Sequence, residues 1–592
     1  MSLIFRGLRM RYFVLVLVLF LASCSEDEKI LTNELVINQG ILQGYTDADA
    51  NYYLGVPYAK APINDLRWKP PLKHNGWQGK KLAVNVPPSC MQPTGFGLGP
   101  FIGLWVDGSG MNWFKRKLLY FGAGLLPFLD SSEDGNSEDC LYLNIITPKN
   151  SDKKLPVMMW IHGGGYRFGN GAGAYIDSDL VSKDVILVSI NYRLGSLGYF
   201  AHPALSAESE FNSSGNYGTL DQIQALKWIN ENIEKFGGDS NNVTIFGESA
   251  GGHAVRQLMS SPLSKGLFHK AIAQSSYAIG NTLYLKNDSG VIQSAESSGK
   301  DFVKILGLNE DNNLLKNLRN IPAKDLQQVG DGMVNPEDAS NEEDYLISAA
   351  WMPNVDGWVF KNSALSISKT KQTHNIPFLI GFNSFEGSSL IPMFYTKNQH
   401  DNDEDWIQTI WELAIPNDPN NINNDYREWA ENIKKDSYLA SQKLWGDVQF
   451  GASTYYSALN HSKVNPNTYF YYFNRSPASD KQIIGATHGV EIMYLFNAFI
   501  PGWPKNEDDN KIGDQMRTDW TDFAKTGDLS TKGWPKFSQE KQIQKNYDEN
   551  LDYSNLVEID LFKSIYRYLN EKEDSLSKLP PLETHSEILP RL

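Results

Sequence analysis

Residues 243–252, VTIFGESAGG, have the types and spacing that nucleophilic catalysis by a hydroxyl requires. Ser249 stands between Gly247 and Gly251 in the G-x-S-x-G spacing of a nucleophile elbow. The β-branched and aromatic run before it suits a buried strand, and the residues through Met259 suit a helix. On that abrupt turn Ser249 is expected at a strained positive φ, with only very small residues tolerated two positions to either side. A serine hydroxyl is a weak nucleophile until a base takes its proton. The chemistry implied is acyl transfer, which also needs backbone donors for a developing oxyanion.

Those donors are expected from residues 162–165, HGGG, where bare backbone can face a cavity without a Cβ in the way. Gly164, Gly165 and Ala250, the residue after the serine, are the expected oxyanion-hole donors. A phosphate cradle is disfavoured, because no Gly-Lys-Ser/Thr follows the glycines. His162 precedes the loop and reads as a structural hydrogen-bonder. Seven histidines follow Ser249, at 253, 269, 374, 400, 461, 488 and 585. His488 is the expected base, since it lies in a glycine-bordered loop (GATHG) after the aromatic strand 467–474. His253, four residues past the serine, is expected only to pack nearby. Glu386, leaving the end of the apolar strand 376–382, is the expected acid that orients the imidazole. An unperturbed histidine titrates near about 6.5, so the rate is expected to fall as pH drops through that value. This chemistry asks for no cofactor, and no H-E-x-x-H or Cys/His cluster suggests a metal. The acidic run 401–405 places Trp406 where a calcium loop needs glycine, so it reads as a solvated loop.

The elements that must hold these groups are legible from their periods. Residues 140–147 alternate, and the runs 155–161 (LPVMMWI) and 185–190 (VILVSI) are nearly continuous apolar stretches, as strands buried on both faces should be. Between residues 216 and 236 the apolar positions recur every three to four residues, the period of an amphipathic helix, and Gly237 and Gly238 stop it. Strand, helix, strand in this order predicts a parallel crossover, an α/β fold, and functional loops beyond the carboxyl ends of strands. Residues 91–130 are a different matter. Their many aromatics and glycines predict either a flap over a pocket mouth or a packed insertion. The helix-like residues 405–459 are expected to roof the site.

The amino terminus reads as a targeting segment. Residues 1–24 combine Arg6, Arg9 and Arg11 with ten apolar residues from Tyr12 to Leu21, too few to span a bilayer. Residues 21–24, LASC, resemble a bacterial lipobox, which implies cleavage before Cys24 and acylation of that residue. The expectation is export and lipid anchoring to a bacterial membrane, the outer membrane on its periplasmic or surface side. Residues 25–33 are expected to be a polar spacer and 34–585 a single catalytic domain. The formal net charge of −15 supplies no basic stripe for nucleic acid. Apart from Cys24, the cysteines are Cys90 and Cys140, and export makes a disulfide between them expected.

Taken together, the motifs resemble the type-B carboxylesterase and cholinesterase family of α/β hydrolases. The resemblance rests on GVPYAKAP (55–62), SEDCLYLNIITP (137–148), WIHGGGYRFG (160–169), NYRLGSLGYF (191–200), residues 216–252, FNSFEG (382–387) and GATHGVEIMYLF (485–496). It implies an α/β-hydrolase fold with a large, mostly parallel sheet and long insertions over the site. It also implies a Ser249–Glu386–His488 triad, the oxyanion donors named above, a Cys90–Cys140 disulfide and an Arg67–Glu138 ion pair. The implied activity is hydrolysis of small-molecule or lipid-like carboxylic esters through an acyl-enzyme. Two departures argue against choline esters. SSEDGN occupies 131–136, where an aromatic would face the cation, and Ser388, Ser389 and Leu390 replace aromatics after the acid. The alternatives are a lipase or polymer-esterase with 91–130 as an interfacial lid, and a non-enzymatic surface-binding member of the fold.

Overall fold

The apolar runs become central strands because helices cover both faces of the sheet they form. The computed structural model describes residues 29–93, 98–125, 135–176, 178–277, 283–288, 293–334, 350–394, 428, 437–556 and 562–563. Its main sheet has twelve strands: β1 (Ile30–Leu31), β2 (Tyr45–Thr46), β3 (Ala50–Pro57), β4 (Tyr142–Pro148), β5 (Leu155–Ile161) and β6 (Ile186–Ile190), followed by β7 (Gly238–Glu248), β8 (Lys270–Gln274), β9 (Phe378–Asn383), β10 (Thr468–Phe473), β11 (Ile543–Tyr547) and β12 (Tyr553–Asn555). Their spatial order is β1-β2-β3-β4-β6-β5-β7-β8-β9-β10-β11-β12. From β6 to β11 neighbouring strands run parallel; antiparallel strands finish both edges. Val157, Met158, Met159, Trp160 and Ile161 on β5 are all inaccessible to solvent, which is why that strand shows no polar alternation.

Nine helices matter for the site and its surroundings: α1 (Leu98–Gly108), α2 (Trp113–Leu125), α3 (Tyr217–Asn232), α4 (Ala250–Leu258), α5 (Gly387–Phe394), α6 (Ser437–Gly446), α7 (Ala452–His461), α8 (Glu491–Leu495) and α9 (Glu507–Thr526). Helix α3 buries Leu220, Ile223, Leu226 and Ile229, and a 3-10 turn carries Ile233 and Phe236 into the same core. Gly237 ends it in the left-handed region at φ 82°. The chain then crosses over β5 to enter β7.

Three features differ from the sequence reading. The sheet starts inside the expected 25–33 spacer, because Ile30 and Leu31 pair with Thr46 and Tyr45. Strand β11, which pairs in parallel with β10, has no counterpart among the sequence expectations. The sequence of β11, IQKNY, hides a buried strand because its Lys545 is neutralised there, Nζ lying 2.7 Å from Asp519 Oδ2 on α9. Within the 91–130 segment, residues 98–108 form an inner helix and residues 113–125 an outer one. Trp105, Val106 and Met111 are buried, while α2 stays largely exposed. Residues 1–28, with the targeting segment and Cys24, and the acidic run 401–405 lie outside the described residues. Among the described residues no helix is long and apolar enough to cross a membrane.

Candidate active site

Five adjacent strands, β5, β7, β8, β9 and β10, each deliver one group at their carboxyl ends. Beyond β5 lies the glycine loop, beyond β7 Ser249, beyond β8 Ser275, three residues beyond β9 Glu386, and in the loop after β10 His488.

Ser249 has φ 57° and ψ −121°, and α4 starts at the next residue. Its N–H donates to the Gln274 carbonyl at 3.0 Å, tying the turn to β8. The flanking glycines are required by β5. A Cβ on Gly251 would come within 1.9 Å of the Ile161 carbonyl oxygen, and one on Gly247 within 2.5 Å. Gly163 packs against the same turn, its absent Cβ falling 3.0 Å from Ser249 Cβ. Gly164 and Gly165 take φ 98° and 62°. Space beside Gly165 is open, with no atom within 4 Å of where a Cβ would project. Among the described residues no backbone carbonyl outside the helices and strands accepts from the N–H of Gly164 or Gly165. Ala250 is the first residue of α4, a position whose N–H has no partner within the helix. The loop and the elbow therefore present bare donors at a helix amino terminus.

Glu386 Oε2 accepts from His488 Nδ1 at 2.7 Å. The other oxygen, Oε1, accepts from Ser275 Oγ and from the Asn383 N–H, both at 2.7 Å. The opposite face of the imidazole, Nε2, lies 3.2 Å from Oε1 of Glu248, which immediately precedes Ser249. Phe450 covers the ring at a centroid distance of 4.6 Å. It comes from a π-helical turn, Asp447–Gly451, between α6 and α7. Trp105 of α1 packs beside Gly489, so the inner helix of the insertion lies over the histidine loop. Glu248, Glu386 and His488 are buried, whereas Ser249 is only partly so.

The electrostatics are unusual for so buried a place. Glu491 sits on the first turn of α8, held by Asn383 Nδ2 at 2.5 Å and Gln274 Nε2 at 3.3 Å. Burial would lower the pKa of His488, but the charges of Glu248, Glu386 and Glu491 outweigh it and raise the value to about 9. Burial pushes both Glu248 and Glu491 up from the ordinary carboxylate range. The negative charge gathered around His488 thus favours its protonated form.

The other expected residues fall where their local context placed them. His162 is buried, stacks on Tyr192 at 4.4 Å and bonds the Gly163 carbonyl through Nδ1 at 2.8 Å; burial drops its pKa to about 4. His253 is enclosed by Tyr166 Oη at 3.0 Å and Gln257 Nε2 at 3.1 Å. Cys90 and Cys140 form a disulfide. Arg67 grips Glu138 through two 2.6 Å hydrogen bonds. Most of the 131–136 stretch is outside the described residues. The sequence reading missed Glu248, Ser275, Phe450 and Glu491. Glu248 lies within the elbow motif itself, a signal of its nearness to Ser249, whereas Glu491, three residues past His488, is drawn in by partners from distant strands. Among the described residues no group of three or more His, Cys, Asp and Glu is arranged to hold a metal ion.

The sequence pattern of the Carboxylesterase family matches residues 32–562. The chain belongs to the carboxylesterase family. It is a carboxylic ester hydrolase of the α/β-hydrolase fold. The carboxylesterase chain is 31% identical to a fumonisin B1 esterase of Sphingopyxis macrogoltabida over 88% of its own length and 87% of the relative's. It is 32% identical to carboxylesterase 1E of Rattus norvegicus over 84% and 86% of the two chains. Among solved structures, a PNB esterase superposes with a TM-score of 0.70 at 27% identity, covering 90% of this carboxylesterase and 99% of that chain.

Proposed function

We propose that this carboxylesterase works through Ser249 as nucleophile, His488 as base and Glu386 as the acid that orients it. Gly164, Gly165 and Ala250 donate to the oxyanion. The observation that supports this reading is the 2.7 Å Glu386–His488 hydrogen bond, with Nε2 of the same imidazole 3.2 Å from Glu248, the residue just before Ser249 on its left-handed elbow. Neutral His488 takes the Ser249 proton as Oγ bonds to the acyl carbon, and the carbonyl oxygen becomes the anion. The imidazolium returns that proton to the departing alkoxide, which leaves as the alcohol. Water, deprotonated by the same imidazole, then attacks the acyl-serine; the acid departs and Ser249 recovers its proton.

The test is covalent labelling with a fluorophosphonate, followed by mass spectrometry of the modified peptide. Stoichiometric modification of Ser249, lost in Ser249→Ala together with at least a thousandfold of turnover on a short nitrophenyl ester, is expected. An unlabelled chain would leave the surface-binding alternative in place. The serines that follow Glu386 favour neutral esters over choline esters as substrates: Ser388 and Ser389 are buried, with no aromatic face at those positions for a cation.

The same proposal extends to the amino terminus, where the basic and apolar segment ending in LASC supports export and acylation of Cys24. Incorporation of labelled palmitate in a bacterial host, abolished by Cys24→Ser, is the expected result. Equal incorporation by both would remove the anchor.

A further inference from the structure

Helix α2 carries an apolar face that no described residue covers. Trp113, Phe114 and Leu118 are 60%, 66% and 61% exposed, and Tyr120 is 44% exposed. Four of the thirteen large exposed hydrophobic residues among the described ones thus lie within eight positions of one helix. Exposed apolar area gathered in this way marks an interaction surface. We propose that this face is the seat of the enzyme on an anionic lipid surface, with α2 lying in the plane of the headgroups.

The charge around the face selects that occupant. Residues 91–125 contain Lys115, Arg116 and Lys117 against Asp107 alone, a net +2 (3 − 1) in a chain whose net charge is −15. Arg116 reaches Asp107 at 3.4 Å, which leaves Lys115, whose stem passes Gly502, and Lys117, beside Trp113, to carry positive charge on the helix. Lys117 Nζ lies 4.6 Å over the Trp113 ring, an arrangement in which the stem can lie in an apolar layer while the ammonium reaches headgroups. Aromatic and aliphatic residues with interleaved lysines on one helix are the pattern of an interfacial helix, and anionic lipid adds attraction for each cation. A second copy of the chain is a poorer occupant. Two-fold pairing of this face would set the same lysines against each other in two strongly acidic molecules. The placement also has a use, because α1, joined to α2 by a four-residue link, packs over the histidine loop through Trp105.

The inference stands apart from the catalytic assignment, since Ser249→Ala should bind lipid as the wild type does. The test is co-sedimentation with vesicles, using the chain from Ser25 onward, which keeps every described residue and the whole family match but no acyl anchor. Vesicles containing one-third phosphatidylglycerol are compared with pure phosphatidylcholine. Binding at least tenfold stronger to the anionic vesicles, weakened by salt, is expected. Combined Trp113→Ser, Phe114→Ser and Leu118→Ser should lower that binding at least tenfold while hydrolysis of a short soluble ester continues at the wild-type rate. Lys115→Glu with Lys117→Glu should remove the preference for anionic lipid. A wild-type chain that stays in solution with both vesicles overturns the proposal, as does a triple variant that sediments like the wild type. So does a wild-type dimer that the triple variant dissociates without either binding vesicles.

Discussion

Nε2 of His488 lies 3.2 Å from Oε1 of Glu248, so the proposed base is flanked by a carboxylate on each side, Glu386 at Nδ1 and Glu248 at Nε2. A base must be neutral to accept a proton, and a raised pKa keeps it protonated to higher pH. The acidic limb of kcat/KM is therefore expected well above 6.5, with activity still rising toward about 9. Glu248→Gln removes the charge nearest Nε2 and should move that limb down by about one unit. A limb that remains in place would mean that Glu248 is uncharged in the free enzyme.

Glu386→Gln keeps the size of the side chain but loses its charge and can present the wrong tautomer to His488. Turnover should fall about ten-thousand-fold with KM little changed. Ser275→Ala is milder, since the Asn383 N–H still donates to the same oxygen; a loss of about fivefold in kcat is expected, equivalent to about 1 kcal/mol. Steady-state kinetics on one soluble ester reads both, and equal losses would refute the division of labour.

Two glycine substitutions should behave oppositely. Gly251→Ala drives a methyl to within 1.9 Å of the Ile161 carbonyl oxygen and should yield no folded protein. Gly165→Ala meets no atom and faces only the cost of its positive φ, about 1–2 kcal/mol. It should fold, and its methyl should raise KM by entering the space beside the elbow. Near-ultraviolet circular dichroism and ester kinetics separate the two.

The Cys90–Cys140 link closes a separation of 50 residues. Replacing both by serine should cost about 4 kcal/mol of unfolding free energy on the chain-entropy account. Urea unfolding followed by Trp fluorescence measures this, and an unchanged midpoint would show that the loop between them is already ordered in the unfolded chain.

Motif and period make the centre of the molecule readable in the sequence. The runs at 155–161 and 185–190 had to be strands buried on both faces, and the G-x-S-x-G turn had to follow one. Long-range electrostatics were less accessible. Nothing in the local pattern around Glu491 announces that Asn383 and Gln274 will hold it in the same buried acidic cluster, because those partners come from two other strands. Strand β11 escaped for a related reason: its lysine finds an aspartate on α9, and a buried ion pair looks like surface sequence. Phe450 escaped because a π-helical turn shifts which side chains face inward, and that shift has no apolar period of its own.

The order in which the five strands supply their groups matters while the polypeptide is still emerging from the ribosome. On the proposed assignment the nucleophile and the oxyanion loop are encoded in the first half, yet the imidazole arrives 239 residues after the serine (488 − 249). A nascent chain that has not yet released β10 and the loop beyond it owns a presented hydroxyl with no proton acceptor. With His488 as the base, hydrolysis would start only once almost the entire sheet is assembled, and truncated products of translation would stay inert.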